Sequence, residues 1–328
     1  MIGYFPLKCL VIIFNIFFLS YLNANSKEKY AIATLKNVEG TVKVAKEEYQ
    51  KSQYAREGML LFNGNKVITS LNSKTGILYR DGSKVRLFQN SELILNFSKE
   101  NFNKKRDFNY LLTFKKGALR GRFMKGLQST KIRTPTAIIG IKGTSFRILE
   151  KNRKTTVSLT EGKLEVSNLS SKVTLETGQW LNNFSPYTNL SKKISTLPNI
   201  LSLKTKVYEL DFNDAESKQV ELSIQIQNSI SGKAVYRSGF TVFESHYRKI
   251  NLPRKILLNE RGFAKILISI NKPNFNDRNF FGMIKIRAYM DNEGFDDVAE
   301  GLLVLKIKKF RKKRNLLLHP DRGLINNK

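Results

Sequence analysis

A chain of 328 residues has room for about two domains, each with a core of its own. Lys and Arg number 57 against 27 Asp and Glu, a formal charge of +30 that favours anionic partners. Most of the excess is Lys, alongside abundant Asn and Ile, as AT-rich coding would produce, so the charge does not by itself argue for nucleic acid, which is not an expected partner. Cys9 is the one cysteine and His246 and His319 are the two histidines, which excludes a disulfide framework, a thiolate nucleophile downstream and a zinc centre.

Met1 to Ser26 reads as a signal peptide. Lys8 precedes the apolar run Cys9 to Leu22, and Ala24-Asn-Ser26 offers small residues for cleavage before the charged Lys27 to Lys29. The run is short for a membrane span, so export to the periplasm or beyond is expected; an uncleaved anchor is the alternative. Cys9 lacks the context of a lipid-attachment cysteine.

Residues 30–185 read as a β domain of short alternating strands and Gly, Asn and Asp turns, solenoid-like or sandwich-like. Ile77 and Tyr79 lead into Asp81-Gly82 and Val85 and Leu87 lead out, the pattern of a tight hairpin; Glu161-Gly162 repeats the device. Lys99 to Asp107 is polar and basic, the composition of a solvated loop. In Lys115 to Lys125, alternation turns Leu119 and Phe123 inward and puts Arg120 and Arg122 together on the opposite, wet face, so Arg120, Arg122 and Lys125 are candidate anion contacts.

The stretch Arg133 to Ile148 joins turn chemistry to an apolar run. Pro135 fixes its own φ and holds Thr134 extended, while Gly140 and Gly143 permit backbone shapes that a Cβ would block. Ile138, Ile139, Ile141, Phe146 and Ile148 suit a buried pleated surface, and the stretch reads as a glycine-kinked core strand. Lys142 and Thr144 are its candidate binding residues.

The order of these segments resembles the FecR-type domain family. The matching segments are Val38–Val44 (VEGTVKV), Gly64–Thr69 (GNKVIT), Leu78–Leu87 (LYRDGSKVRL), Thr134–Ala137 (TPTA), Ile141–Phe146 (IKGTSF), Val157–Val166 (VSLTEGKLEV) and Leu175–Gln179 (LETGQ). The likeness spans about residues 35–185, with Asp81, Gly82, Thr134, Pro135, Gly140, Gly143, Phe146, Glu161, Gly162 and Gly178 as its structural positions. Asn65 and Lys142 stand where the family's pattern has Asp and Arg. The resemblance implies an extracytoplasmic β-rich module that, in signalling members, senses an outer-membrane transporter. Those members also carry a cytoplasmic sigma-factor-binding segment before a membrane helix. Only a few residues precede the apolar run in this sequence, so a sigma regulator is not expected.

Residues 186–202 read as a linker and 203–309 as a sandwich of about seven strands, including Val207 to Phe212, Val220 to Gln227, Phe263 to Ile270, Gly282 to Tyr289 and Leu302 to Ile307. The turn and strand Asn259 to Ile268 resemble those of bacterial immunoglobulin-like domains, which implies a spacer or adhesion module. The acidic cluster Asp291 to Asp297, with Glu300, does not have the spacing of a calcium loop and reads as a solvated turn. Residues 310–328 form a basic tail, and Lys308, Lys309, Arg311, Lys312, Lys313 and Arg314 are its candidate contacts for anionic lipid or polysaccharide.

No nucleophilic triad, phosphate loop or carboxylate pair is marked out by spacing, and neither a cofactor nor a metal is expected. The sequence therefore reads as an exported, non-enzymatic, all-β binding or scaffolding protein of the envelope. An envelope protein is the expected partner; binding of a polyanion, lipid or cell-wall polymer through basic patches is the rival reading, and glycan hydrolysis a third. A transmembrane regulator is the reading if the anchor stays uncleaved. The oligomeric state is not encoded in any motif.

Overall fold

The computed structural model describes residues 31–46, 52–98, 109–124, 130–212, 215–273, 282–291 and 297–308, with the short pairs 318–319 and 323–324. The expected signal peptide, the loop at Lys99 to Asp107, Lys125 and the tail residues Lys309, Arg311, Lys312, Lys313 and Arg314 lie outside the described residues. The protein is all-β, and among the described residues its one helical element is a single 3-10 turn.

The first domain is a sandwich of two sheets. Its strands are β1 (Ala33–Glu39), β2 (Val42–Lys46), β3 (Ser52–Tyr54), β4 (Leu60–Leu61), β5 (Asn65–Thr69), β6 (Lys74–Tyr79), β7 (Lys84–Leu87), β8 (Glu92–Ser98) and β9 (Asn109–Arg122). They continue with β10 (Thr130–Arg133), β11 (Ile138–Ile141), β12 (Ser145–Lys151), β13 (Lys154–Glu161), β14 (Lys163–Ser167), β15 (Lys172–Glu176), β16 (Gln179–Phe184) and β17 (Ile194–Thr196). One sheet runs β4-β1-β6-β7-β9-β12-β13-β16-β17. The other runs β3-β2-β5-β8-β9-β10-β11-β14-β15.

Strand β9 belongs to both sheets. It crosses between them at Gly117, where φ is 98° and an added Cβ would sit 2.2 Å from Ser91 Oγ, so only glycine turns this corner. Leu35, Ile77, Leu119, Phe146 and Ile148 of one sheet and Val67, Leu93, Leu112, Ile139 and Val166 of the other are buried in a single core. Burying these apolar faces is the main drive for the two layers to close.

The second domain holds β18 (Asn199–Lys204), β19 (Glu209–Leu210), β20 (Ser217–Asn228), β21 (Gly239–Ser245), β22 (Ile250–Asn251), β23 (Lys255–Leu258), β24 (Phe263–Asn271), β25 (Met283–Met290), β26 (Val298–Ala299) and β27 (Gly301–Ile307). One sheet is ordered β22-β24-β20-β18-β26 and the other β19-β27-β25-β21-β23, with β19 parallel to β27. In β20, Val220, Leu222, Ile224 and Ile226 are buried and alternate with polar residues, as their spacing predicts. The segment Val207 to Phe212 contributes only the two-residue strand β19, although Leu210 and Phe212 are buried.

The expected linker is structured. Asn189 accepts the Ser191 N–H and caps the 3-10 turn Leu190–Lys193, β17 adds to β16, and β18 pairs along its whole length with β20. The apolar residues Leu190, Leu197 and Leu201, set among the Ser and Thr that suggested a linker, are buried and pin the segment. The junction shrinks to Leu197–Pro198. Leu197 N–H bonds Gly178 O on one side of it, and Pro198 O accepts from Ser229 N–H on the other.

Candidate functional site: an ion-paired seam between the two sandwiches

Alternation puts Lys84 and Arg86 of β7, Arg120 and Arg122 of β9, and Ser145 and Arg147 of β12 on the outer face of one sheet. The register aligns them in rows: Arg86 stands opposite Arg120, which stands opposite Arg147, while Lys84 stands opposite Arg122. Like charges directly across a sheet repel, so such a row needs acidic cover. The second domain supplies it.

In β25, Ile284, Ile286, Ala288 and Met290 face their own core, which turns Arg287, Tyr289 and the following Asp291 towards the first domain. Lys74 Nζ lies 2.6 Å from Asp291 Oδ2 and Arg86 Nε 2.8 Å from Asp291 Oδ1. Arg120 Nε donates to Glu300 Oε1 at 2.6 Å and its guanidinium lies over the Tyr289 ring, 3.6 Å from the centroid. Arg122 Nη1 donates to Glu244 Oε2 at 3.0 Å, Ser145 Oγ to Glu300 Oε1 at 3.1 Å, and Arg147 Nη1 to Met290 O at 3.4 Å. In the opposite sense, Arg287 Nη1 lies 2.8 Å from Glu161 Oε2.

These charges are largely withdrawn from water. The side chains of Arg120, Glu300 and Asp291 are 4%, 6% and 1% exposed. Burial alone would raise the Glu244 carboxyl, but Arg120, Lys84 and Arg122 outweigh it and hold it below its ordinary value. Burial also lowers Arg120, and Glu300, Tyr289 and Glu244 more than offset that, so it is held firmly as a cation. The Tyr289 phenol is pushed up to about 12, chiefly by burial.

Two expectations need correcting on this geometry. Around Arg120 the face is not wet, because the second domain covers it and puts Arg120 out of reach of an external polyanion, whereas Arg122 stays about one-third exposed at the rim. Nor are Asp291 and Glu300 part of a solvated turn: both are buried against basic residues of the first domain. Asp297 turns back to Arg237, 2.9 Å away. Of the other candidates, Lys142 is exposed, Thr144 is buried beside Gly162, and Lys308 stands 3.9 Å from Asp211.

The structural positions do local work. Asp81 accepts the backbone N–H and hydroxyl of Ser83 and shapes the hairpin. Thr134 Oγ1 accepts the N–H groups of Thr136 and Ala137 at 3.1 and 2.9 Å, closing the turn that Pro135 begins. Gly82, Gly143, Gly162 and Gly178 all have positive φ, whereas Gly140 lies within β11 without it. Phe146 stacks on Phe123 with centroids 6.0 Å apart, and Glu161 belongs to the seam. Glu150, which spacing did not single out, is buried beneath the hydroxyls of Thr136 and Thr155. Burial raises its carboxyl above the usual range, against the lowering effect of those hydroxyls and Thr134.

The family model described as FecR protein matches residues 65–165. Those residues are similar to a FecR domain. The match runs from β5 into β14 and includes Lys74, Arg86, Arg120, Arg122 and Arg147, the first domain's side of the seam. The segments at Val38–Val44 and Leu175–Gln179 lie outside it, on strands that complete the two sheets. No curated protein matches the chain.

Two crystal structures of a candidate anti-sigma factor from Parabacteroides distasonis ATCC 8503 align at 19% identity, with TM-scores of 0.32 and 0.31, over 40% of this chain and 57% of theirs. The chain thus spans little more than half the length of those neighbours. A glycosyl hydrolase family 2 member from Bacteroides cellulosilyticus aligns at 10% identity with a TM-score of 0.26, over 48% of this chain and 23% of its own. Scores of this size assign no fold and transfer no activity.

Proposed function

We propose that this is an exported, non-enzymatic binding protein of the cell envelope, in which the FecR domain docks a partner protein in envelope sensing. Met1 to Ser26 directs export in this reading. The second domain, read as an immunoglobulin-like sandwich of two five-stranded sheets, serves as a rigid mount in this reading.

The observation that carries the reading is an open sheet edge. Among the described residues β14 is the one strand that β15 pairs with, and the turn Leu190–Lys193 packs near its start, so its outer edge offers backbone groups to an added strand while its sheet stays anchored in the core. The opposite, arginine-bearing face is already occupied by the second domain, which leaves the edges and turns for a partner. Lys74, Arg86, Arg120, Arg122 and Arg287 are engaged with acids across the seam or beside it, as structural ion pairs are. Among the described residues no helix is long and apolar enough to cross a membrane.

A photo-crosslinking amino acid at Thr174, exposed on β15, tests the docking mode in intact cells. A discrete adduct that forms at Thr174 and not at Gln219, on the second domain, is the expected result. Equal labelling at both positions, or none at Thr174, would refute it.

A further inference from the structure

The seam is not filled along its whole length. Where Lys84, Arg122, Glu244, His246, Lys285 and Arg287 come together from both domains it opens into a cavity of about 340 Å³. Its charge is unbalanced. Arg122 is answered by Glu244 at 3.0 Å and Arg287 by Glu161 at 2.8 Å. Lys84 and Lys285 are exposed, and among the described residues neither has a carboxylate at ion-pair distance.

Both lysines line this cavity. Lys84 opens β7 directly across from Arg122 of β9, at the hairpin held by Asp81 and Ser83. Lys285 lies on the outward-facing side of β25, two residues before Arg287. One lysine comes from each domain, so a ligand between them would join the two sandwiches.

We infer that this cavity is a phosphoryl-binding site, in which Lys84 and Lys285 take the anion and the guanidinium groups of Arg122 and Arg287 form its wall. A phosphate monoester or pyrophosphate brings about two or more negative charges at neutral pH, which matches two lysines without a contact ion pair better than a single carboxylate does. Arg and Lys differ in role: the planar forks stay committed to their carboxylates and fix the shape of the site, while the flexible ammonium groups close on the ligand. A ligand that bridges both domains binds only the assembled form and stabilises it by mass action. The inference is independent of the edge-docking proposal, because it uses another face of the FecR domain.

The test is calorimetry of the mature chain with inorganic pyrophosphate at low ionic strength, with thermal unfolding followed alongside. The wild type should bind one equivalent saturably and its Tm should rise. In Lys84→Ala/Lys285→Ala affinity should fall about tenfold or more, since both charge-assisted contacts are lost, and the ligand-induced rise over that variant's own ligand-free Tm should vanish. Each single substitution should show part of the loss, which keeps the test usable if the double variant folds poorly. Sedimentation with phosphatidylcholine vesicles containing phosphatidic acid separates the sources: lysine-dependent vesicle binding assigns a lipid headgroup, and lysine-dependent binding of pyrophosphate alone assigns a soluble phosphate. No saturable binding of either probe, or equal binding by the double variant, would overturn the site and assign any residual affinity to overall charge.

Discussion

At the scale of single residues, Gly121 shows how tightly the FecR domain is specified. It lies on β9 between Arg120 and Arg122, and a Cβ there would come within 2.4 Å of the Phe146 ring, which is buried and stacked on Phe123. The ring is fully buried in the core. Gly121→Ala should therefore lower stability by about 1–3 kcal/mol, the usual cost of overpacking, measured as a shift in urea midpoint with unchanged slope. An unchanged midpoint would mean that Phe146 repacks freely. Phe146 and Gly143 could be singled out from the sequence because apolar runs and turn glycines announce themselves locally. Gly121 could not, because its necessity comes from a ring more than twenty residues away.

At the scale of elements, the seam joins two outer sheet faces, and Asp291 at the end of β25 is its most buried anion. It answers both Lys74 on β6 and Arg86 on β7. Removing it leaves the two partly buried cations only the half-exposed Glu39, 3.4 and 3.5 Å away, and breaking a buried pair costs up to about 3–5 kcal/mol. Asp291→Ala should show that loss in chemical denaturation, whereas Lys163→Ala, which breaks an exposed pair with Glu176, should cost well under about 1 kcal/mol. Comparable effects of the two would remove the case for a buried clamp. Alternation along β9 correctly put Arg120 and Arg122 on one face. The row from Arg86 to Arg147 was hidden, because which residue stands opposite which is fixed by strand pairing across the sheet and not by spacing within one strand.

At the scale of the whole molecule, acid should open the seam. Glu244 has its folded pKa lowered, so its contribution is present above the ordinary Glu value and is lost as pH falls through the lower, folded one. Glu150 has the opposite sign: its raised carboxyl costs stability as pH climbs from the ordinary value through the folded one. The domains should thus stay docked near neutrality and separate in acid below the ordinary carboxylate range, seen as a rise in radius of gyration by small-angle scattering. The short junction at Leu197–Pro198, hydrogen-bonded on both sides, limits how far they move. A radius that holds constant until global unfolding would show that packing and not charge joins them.

The sequence by itself determined the all-β class, the inward-facing residues, the hairpins at Asp81-Gly82 and Glu161-Gly162 and the FecR resemblance, because alternation, turn chemistry and motif order are local properties of a chain. Only the tertiary structure decided that Arg120 faces acids and not solvent, that Arg122 is paired with Glu244, that Asp291 and Glu300 are buried, and that much of 186–202 is strand or 3-10 turn. Charge reads as exposed when seen in one dimension. Burying it becomes tolerable only once a counter-charge from a distant segment, such as Glu300 beside Arg120, replaces the water it loses.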